Sequence, residues 1–209
     1  MRRGVVVDLD RTFIKINSFE FFYIFLLKYS LVSFKMGYFF KLFFLILGRK
    51  CKLYSHEKLK YYTLIETYSI KSETLDSFSE ILVSHINYKV IKIINEYKEK
   101  GYTICLATAA PILYVENFVT RFKLFDSVVC TSIPQKKKPW EENLGITKLN
   151  NVKNLFQKQN CSINVVITDH ADDIPLLLNS EDTNYLVSPS KKSIAQINKH
   201  LIKYKIIQE

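Results

Sequence analysis

The apolar run Val5-Val6-Val7 opens the chain after Gly4 and stops abruptly at Asp8-Leu9-Asp10-Arg11-Thr12. A β-branched run closed by acids predicts a buried strand that delivers two carboxylates to its C-terminal end, where open α/β sheets place their chemistry. A strand followed by an Asp-rich turn is the plainer reading of the same residues. Beyond Thr12 the period changes. Asn17 and Glu20 have the spacing of a capping box, so a helix is expected to start there.

Residues 19–48 are strongly apolar, with Phe and Leu crowded between Lys28, Lys35 and Lys41. A membrane-spanning helix needs roughly 20 consecutive apolar residues, and these lysines interrupt every window. Two or three amphipathic helices packed on one another are expected instead. A helical surface lying on a membrane is the sharper alternative. Leu59, Tyr62, Leu64, Ile65 and Tyr68 continue the helical spacing, so residues 18–79 read as an all-helical insertion between core segments 1–17 and 80–209.

Helix and strand then alternate. Val90, Ile91, Ile93, Ile94 and Tyr97 make a helical face that stops at Gly101, and residues 102–107 make a strand ending at Thr108. A helix through Tyr114, Val115, Phe118, Val119 and Phe122 leads to a strand over 126–131. After a polar, basic loop at 136–142 comes a helical face of Leu149, Val152, Leu155 and Phe156, then a strand over 163–168 that ends in Asp169-His170-Ala171-Asp172-Asp173. A last strand is expected over 184–187, followed by a helix capped by Ser190 with Ile194, Ile197 and Leu201 facing inward. This alternation predicts an α/β fold with a central parallel sheet covered on both faces.

Length and charge narrow the partners. With 209 residues the chain makes one domain, or one domain with an insertion. A net charge of +10 suits an anionic partner. Nucleic acid is disfavoured, because the basic residues are scattered apart from Lys136-Lys137-Lys138 and Lys191-Lys192, and no nucleic-acid-binding signature is present. Cys51, Cys105, Cys130 and Cys161 show no Cys-x-x-Cys spacing and read as reduced core residues of a cytoplasmic protein. The first apolar run ends at Asp8, too early for a secretion signal.

Three strand ends therefore carry Asp8 with Asp10, Thr108, and Asp169 with Asp172 and Asp173, and a parallel sheet brings such ends to one edge. Clustered carboxylates ask for a hard cation, and an oxygen site with few protein ligands suits Mg²⁺ better than zinc. No phosphate-binding glycine loop of the Gly-x-x-x-x-Gly-Lys type is present.

Asp8-Leu9-Asp10-Arg11-Thr12, the strand end at Thr108, Gly145-x-x-Lys148 before a helix, and Asp169-x-x-x-Asp173 together resemble the four ordered motifs of the haloacid dehalogenase superfamily of phosphohydrolases. The helical insertion after the first motif resembles the cap of its phosphoserine-phosphatase-like branch. The resemblance covers essentially the whole chain and implies a Rossmann-like core with an inserted cap and Mg²⁺-dependent hydrolysis of a small phosphomonoester. It implies that Asp8 is the nucleophile and Asp10 the acid and base. Thr108 and Lys148 would hold the phosphoryl oxygens, with backbone amides at Leu9 and Asp10. Metal would be held by Asp8, Asp169 and the Asp10 carbonyl, with Asp173 supporting. Lys153 and Lys158 compete with Lys148 on the same helix but lack the motif spacing, while Asp172 and His170 read equally well as surface residues.

Two departures bear on the substrate. Asn17 stands where phosphoserine phosphatases carry a glutamate that meets the substrate's amino group, and Ala109-Ala110-Pro111 replaces the glycines that follow their second motif. Both argue against phosphoserine. The aromatic, basic insertion would suit an amphiphilic phosphate or a membrane-peripheral position, or its aromatics pack its own core. Phosphoryl transfer to another acceptor would use the same residues. A weakly active module that docks through the insertion is the rival from another class, and the intact set of motif residues counts against it.

Overall fold

The computed structural model describes residues 1–67, 70–135 and 138–208. Tyr68 and most of the Lys136-Lys137-Lys138 cluster lie outside the described residues.

Six parallel strands form one sheet in the order β3-β2-β1-β4-β5-β6: β1 (Arg2–Val7), β2 (Thr103–Pro111), β3 (Ser127–Thr131), β4 (Cys161–Thr168), β5 (Thr183–Val187) and β6 (Lys205–Ile207). The order reverses beside β1, so a crevice opens at the C-terminal ends of β1 and β4. Register carries the acids there. Val7 pairs with Leu106 on β2 and with Ile167 on β4, so Asp8, Thr108 and Asp169 follow one or two residues beyond the same level.

The two-residue period of β1 sorts the core. Val5 and Val7 join Ile104, Leu106, Val165 and Ile167 on one face. Val6 joins Cys105, Ala107 and Val166 on the other. That second face is covered by α7 (Gly145–Lys158), α8 (Ile174–Leu177) and α9 (Lys191–Asn198). At Gly4 the covering helix comes so close that a Cβ would sit 2.3 Å from a ring carbon of Phe156 and 2.7 Å from the Ser162 carbonyl oxygen. The first face takes α5 (Tyr88–Glu99) and α6 (Ile112–Thr120).

Between β1 and α5 lie α1 (Ser18–Val32), α2 (Met36–Lys50), α3 (His56–Glu66) and α4 (Ser72–Val83). Asn17 caps α1, its side-chain oxygen accepting from the Glu20 amide at 3.0 Å. Phe22, Phe25, Phe78 and Tyr114 pack with tilted and edge-on rings where α1 and α4 meet α6. Helix α4 is continuous across the expected boundary at residue 79 and packs on α6. Residue 79 therefore falls inside a helix and not at a linker.

Several local expectations are corrected. Strand β2 does not end at Thr108 but resumes pairing at Pro111 opposite Thr131, after a register shift beyond Ala107. An edge strand, β6, follows β5. Helix α9 stops at Asn198, and Leu201 does not face inward: it has φ +56 and is 90% exposed, because the chain turns there into β6. Cys51 is exposed at the end of α2, whereas Cys105 and Cys161 are buried and all four cysteines are free.

Candidate active site

Each acid is set by a short local structure. After Val7 the chain winds tightly. Arg11 takes a left-handed φ of +54, and the Phe13 and Ile14 amides return to the carbonyls of Asp8 and Leu9 at 3.3 and 2.9 Å. The winding leaves Asp8 and Leu9 buried and brings Asp10 to the start of α1, where the Ser18 amide donates to its carboxylate at 2.7 Å. A carboxylate at a helix N-terminus meets unpaired amides and the positive end of the helix dipole.

Lys148 lies on the first turn of α7 and is 2% exposed. Its Nζ is 2.9 Å from Asp8 Oδ1, and 2.7 and 3.0 Å from the two oxygens of Asp173. Asp173 is buried and also accepts from Thr168 Oγ1 at 2.7 Å. Lys153 and Lys158 are exposed on the same helix, so of the three lysines only Lys148 reaches the acids. Asp169 is half-buried. Asp172 faces outward, half exposed, and pairs with His170 at 3.1 Å.

Thr108 is buried, its hydroxyl accepting from the Ala110 amide at 3.0 Å. Its carbonyl accepts from Asn143 at 2.9 Å, and the Ala109 carbonyl accepts from Thr131 at 2.7 Å and from Lys60 at 3.2 Å. These contacts carry β2 through its register shift and hold Ala109 in the cleft wall. The Lys60 ammonium also pairs with Glu142 and lies 5.0 Å over the Phe19 ring. An insertion helix is thereby pinned to the loop before α7.

Burial pushes Asp8 upward from the usual carboxylate range. Lys148 opposes the shift, while Asp173, Asp169 and Asp10 add to it. Burial also raises Asp10, against the Ser18 hydrogen bonds and the charges of Lys60 and Lys148. Asp169 is pushed up to about 6, chiefly by burial. Burial alone would lower Lys148, but Asp173 and Asp8 outweigh it, so the ammonium is held.

The acids and Lys148 line a cleft of 230 Å³ that also takes in Asn17, Thr108 and Ala109. An adjoining cavity of 710 Å³ shares Asp10, Asn17 and Ala109 and adds Phe19, Ser55, His56, Glu57, Lys60, Glu141, Glu142 and Thr147. Among the described residues, no three His, Cys, Asp or Glu side chains form a ready-made metal cage. Lys148 engages Asp8 and both oxygens of Asp173. Asp8 and Asp169 line the cleft together with Asp10, Asp172 and Asp173. One or two carboxylates, completed by water and substrate oxygens, is what Mg²⁺ asks of a protein.

Sequence reasoning missed Ser18, Lys60, Thr131, Glu142, Asn143 and Thr168. Only their distances to backbone atoms and charged partners reveal them, and no local spacing marks them.

A strand end bearing Asp8 and Asp10, a buried lysine and further acids meet at the switch point of a parallel sheet. A family model described as haloacid dehalogenase-like hydrolase matches residues 5–178, and the chain belongs to that family. Solved structures share its fold. A protein of unknown function from Bordetella pertussis Tohama I superposes with a TM-score of 0.77 at 15% identity, over 99% of this chain and 98% of that one. A phosphoserine phosphatase in apo form gives 0.61 at 11% identity, over 100% and 94%. A phospho-aspartyl intermediate analogue of phosphoserine phosphatase gives 0.60 at 12% identity, over 100% and 95%. No curated protein matches the sequence.

Proposed function

We propose that the chain is a phosphatase that hydrolyses a small phosphomonoester through an aspartyl-phosphate on Asp8. The single observation that carries this reading is the buried contact of Lys148 with Asp8 and Asp173 beside a second acid, Asp10, whose carboxyl is raised. A nucleophile needs a neighbouring cation to receive an anionic phosphoryl group, and the leaving oxygen needs a proton. Lys148 supplies the first and Asp10 the second.

In this reading Asp8 attacks phosphorus and the ester oxygen departs with the proton of Asp10. Asp10, now a carboxylate, takes a proton from the water that cleaves the acyl-phosphate. Thr108, Lys148, the Ala109 region and the amides of Leu9 and Asp10 hold the phosphoryl oxygens. Asp8, Asp169 and the Asp10 carbonyl would hold Mg²⁺, which supplies charge neutralisation at the phosphoryl group. Asp173 fixes Lys148. Residues 18–79 act as a cap over a core formed by 1–17 and 80–209, with α4 belonging to both.

The cavity beyond the cleft has the leaving group for its occupant. Its walls mix apolar surface from Phe19, Ala109 and Leu144 with the polar groups of Asn17, Ser55, Glu57, Lys60, Glu141 and Glu142, so a leaving group that carries hydroxyl or cationic groups beside some apolar surface fits better than a bare acyl chain. The exposed phenylalanines of α2 line neither space.

The test is release of inorganic phosphate from sugar, amino-acid, nucleotide and lipid monophosphates, with and without Mg²⁺, against Asp8→Asn. Metal-dependent release that the variant lacks is expected. Absence of release in water, with transfer to an added alcohol acceptor, would make the chain a phosphotransferase instead.

A further inference from the structure

The α1–α2 hairpin carries apolar surface that the core does not absorb. On α2, Met36, Phe40, Phe43, Phe44 and Leu47 recur at helical spacing on one face, and each is between 43% and 62% exposed. The same helix turns Leu42 fully inward, with Tyr38, Leu45 and Ile46 partly buried, so it is apolar on both sides. At the turn between the helices Val32 is 80% and Phe34 89% exposed. Phe34 also has φ +54, a conformation that favours glycine after a helix end. An exposed aromatic in a left-handed position is a double cost to a protein surrounded only by water.

Charge says what covers this face. Residues 21–56 contain six basic residues, Lys28, Lys35, Lys41, Arg49, Lys50 and Lys52, and no Asp or Glu. Among the described residues, Lys41 of this group forms an ion pair, with Glu66 at 3.0 Å, and the others form none. A second copy of the chain seated on this face would set cations against cations with no carboxylate in the stretch to answer them. Crossing a bilayer is excluded for this helix: 15 residues span about 22 Å against a hydrocarbon core of about 30 Å. No helix among the described residues is long and apolar enough to cross a membrane.

We propose that the exposed face of α2, with the turn that leads into it, docks on an anionic lipid bilayer. The helix lies in the plane of the headgroups, its phenylalanines reach the upper acyl chains, and the flanking lysines meet lipid phosphates. This surface lies outside the cleft, and the proposal stands whether or not the cleft is a phosphatase site.

Co-sedimentation of the full chain with vesicles tests it without any turnover. Vesicles of phosphatidylcholine mixed with phosphatidylglycerol are expected to pellet the protein at low salt, and vesicles of phosphatidylcholine alone to leave it in the supernatant. The double variant Phe43→Ser/Phe44→Ser should bind the anionic vesicles at least about tenfold more weakly, since two aromatic side chains no longer enter the bilayer. Its thermal unfolding and its turnover of a soluble substrate should match the parent. The proposal is overturned if the parent stays in the supernatant with anionic vesicles, binds both compositions equally, or binds no better than the variant. A parent that elutes as a dimer which the double variant dissociates would overturn it in favour of a second copy.

Discussion

In the proposed reaction Lys148 serves stability and chemistry together. It is buried between Asp8 and Asp173, and an ammonium in such a place persists only because two carboxylates and their hydrogen bonds offset its desolvation. Lys148→Met should therefore lower turnover by about 10²–10³-fold, the usual effect of deleting one group that holds developing charge. It should also lower the urea midpoint, because Asp8 and Asp173 are left facing each other. Turnover within a few-fold of the parent would show that the lysine is structural only. The acids were legible in the sequence because they follow strand ends, and Lys148 because Gly145-x-x-Lys148 resembles the third motif of the haloacid dehalogenase superfamily. Lys60 and Glu142 were not: they lie 82 positions apart and meet only once α3 folds over the loop before α7.

At the scale of elements, the close seating of α7 on β1 places Lys148 over Asp8. Gly4 permits that approach, since any Cβ would meet both a Phe156 ring carbon and the Ser162 carbonyl. Gly4→Ala should destabilise the fold by about 1–3 kcal/mol through overpacking, read as a shift in the denaturant midpoint. An unchanged midpoint would mean that α7 can move away at no cost. The hydrophobic period revealed β1, β4, α5, α6 and α7 because each buries a continuous face. It failed at β6, a three-residue edge strand with two exposed positions, and at Leu201, whose apolar side chain continues the pattern of α9 beyond the helix's actual end. The resumption of β2 at Pro111 was hidden for a related reason: Asn143 and Thr131, distant in sequence, support the backbone there.

Across the whole molecule, α3 is bound to the loop before α7 by a buried ion pair, while aromatic packing joins α1 and α4 to α6. The Lys60 and Glu142 side chains are 4% and 10% exposed. Glu142→Gln keeps the shape but leaves a buried cation unpaired, and should cost on the order of 3 kcal/mol. Equal thermal stability of variant and parent would show that α1–α4 are held by their aromatic joint alone. The sequence showed that an aromatic, basic insertion follows the first motif. It left undecided whether its aromatics were core or surface, and the structure divides them: Phe22, Phe25 and Phe78 pack at the joint, while Phe34, Phe40, Phe43 and Phe44 face outward. Helical periodicity could not make that division, because α2 is apolar on two faces and only the packing of α1 and α3 shows which one is covered.

The central claim is that Asp8 carries the phosphoryl group during turnover. Acid quenching of the enzyme while it turns over a phosphomonoester, followed by mass analysis of its peptides, tests this most directly. The account predicts that the peptide containing Asp8 gains the mass of one phosphoryl group, in the presence of Mg²⁺ only, and that Asp8→Asn shows neither the adduct nor phosphate release. Sustained phosphate release by Asp8→Asn, with no adduct on the parent at any quench time, would contradict it.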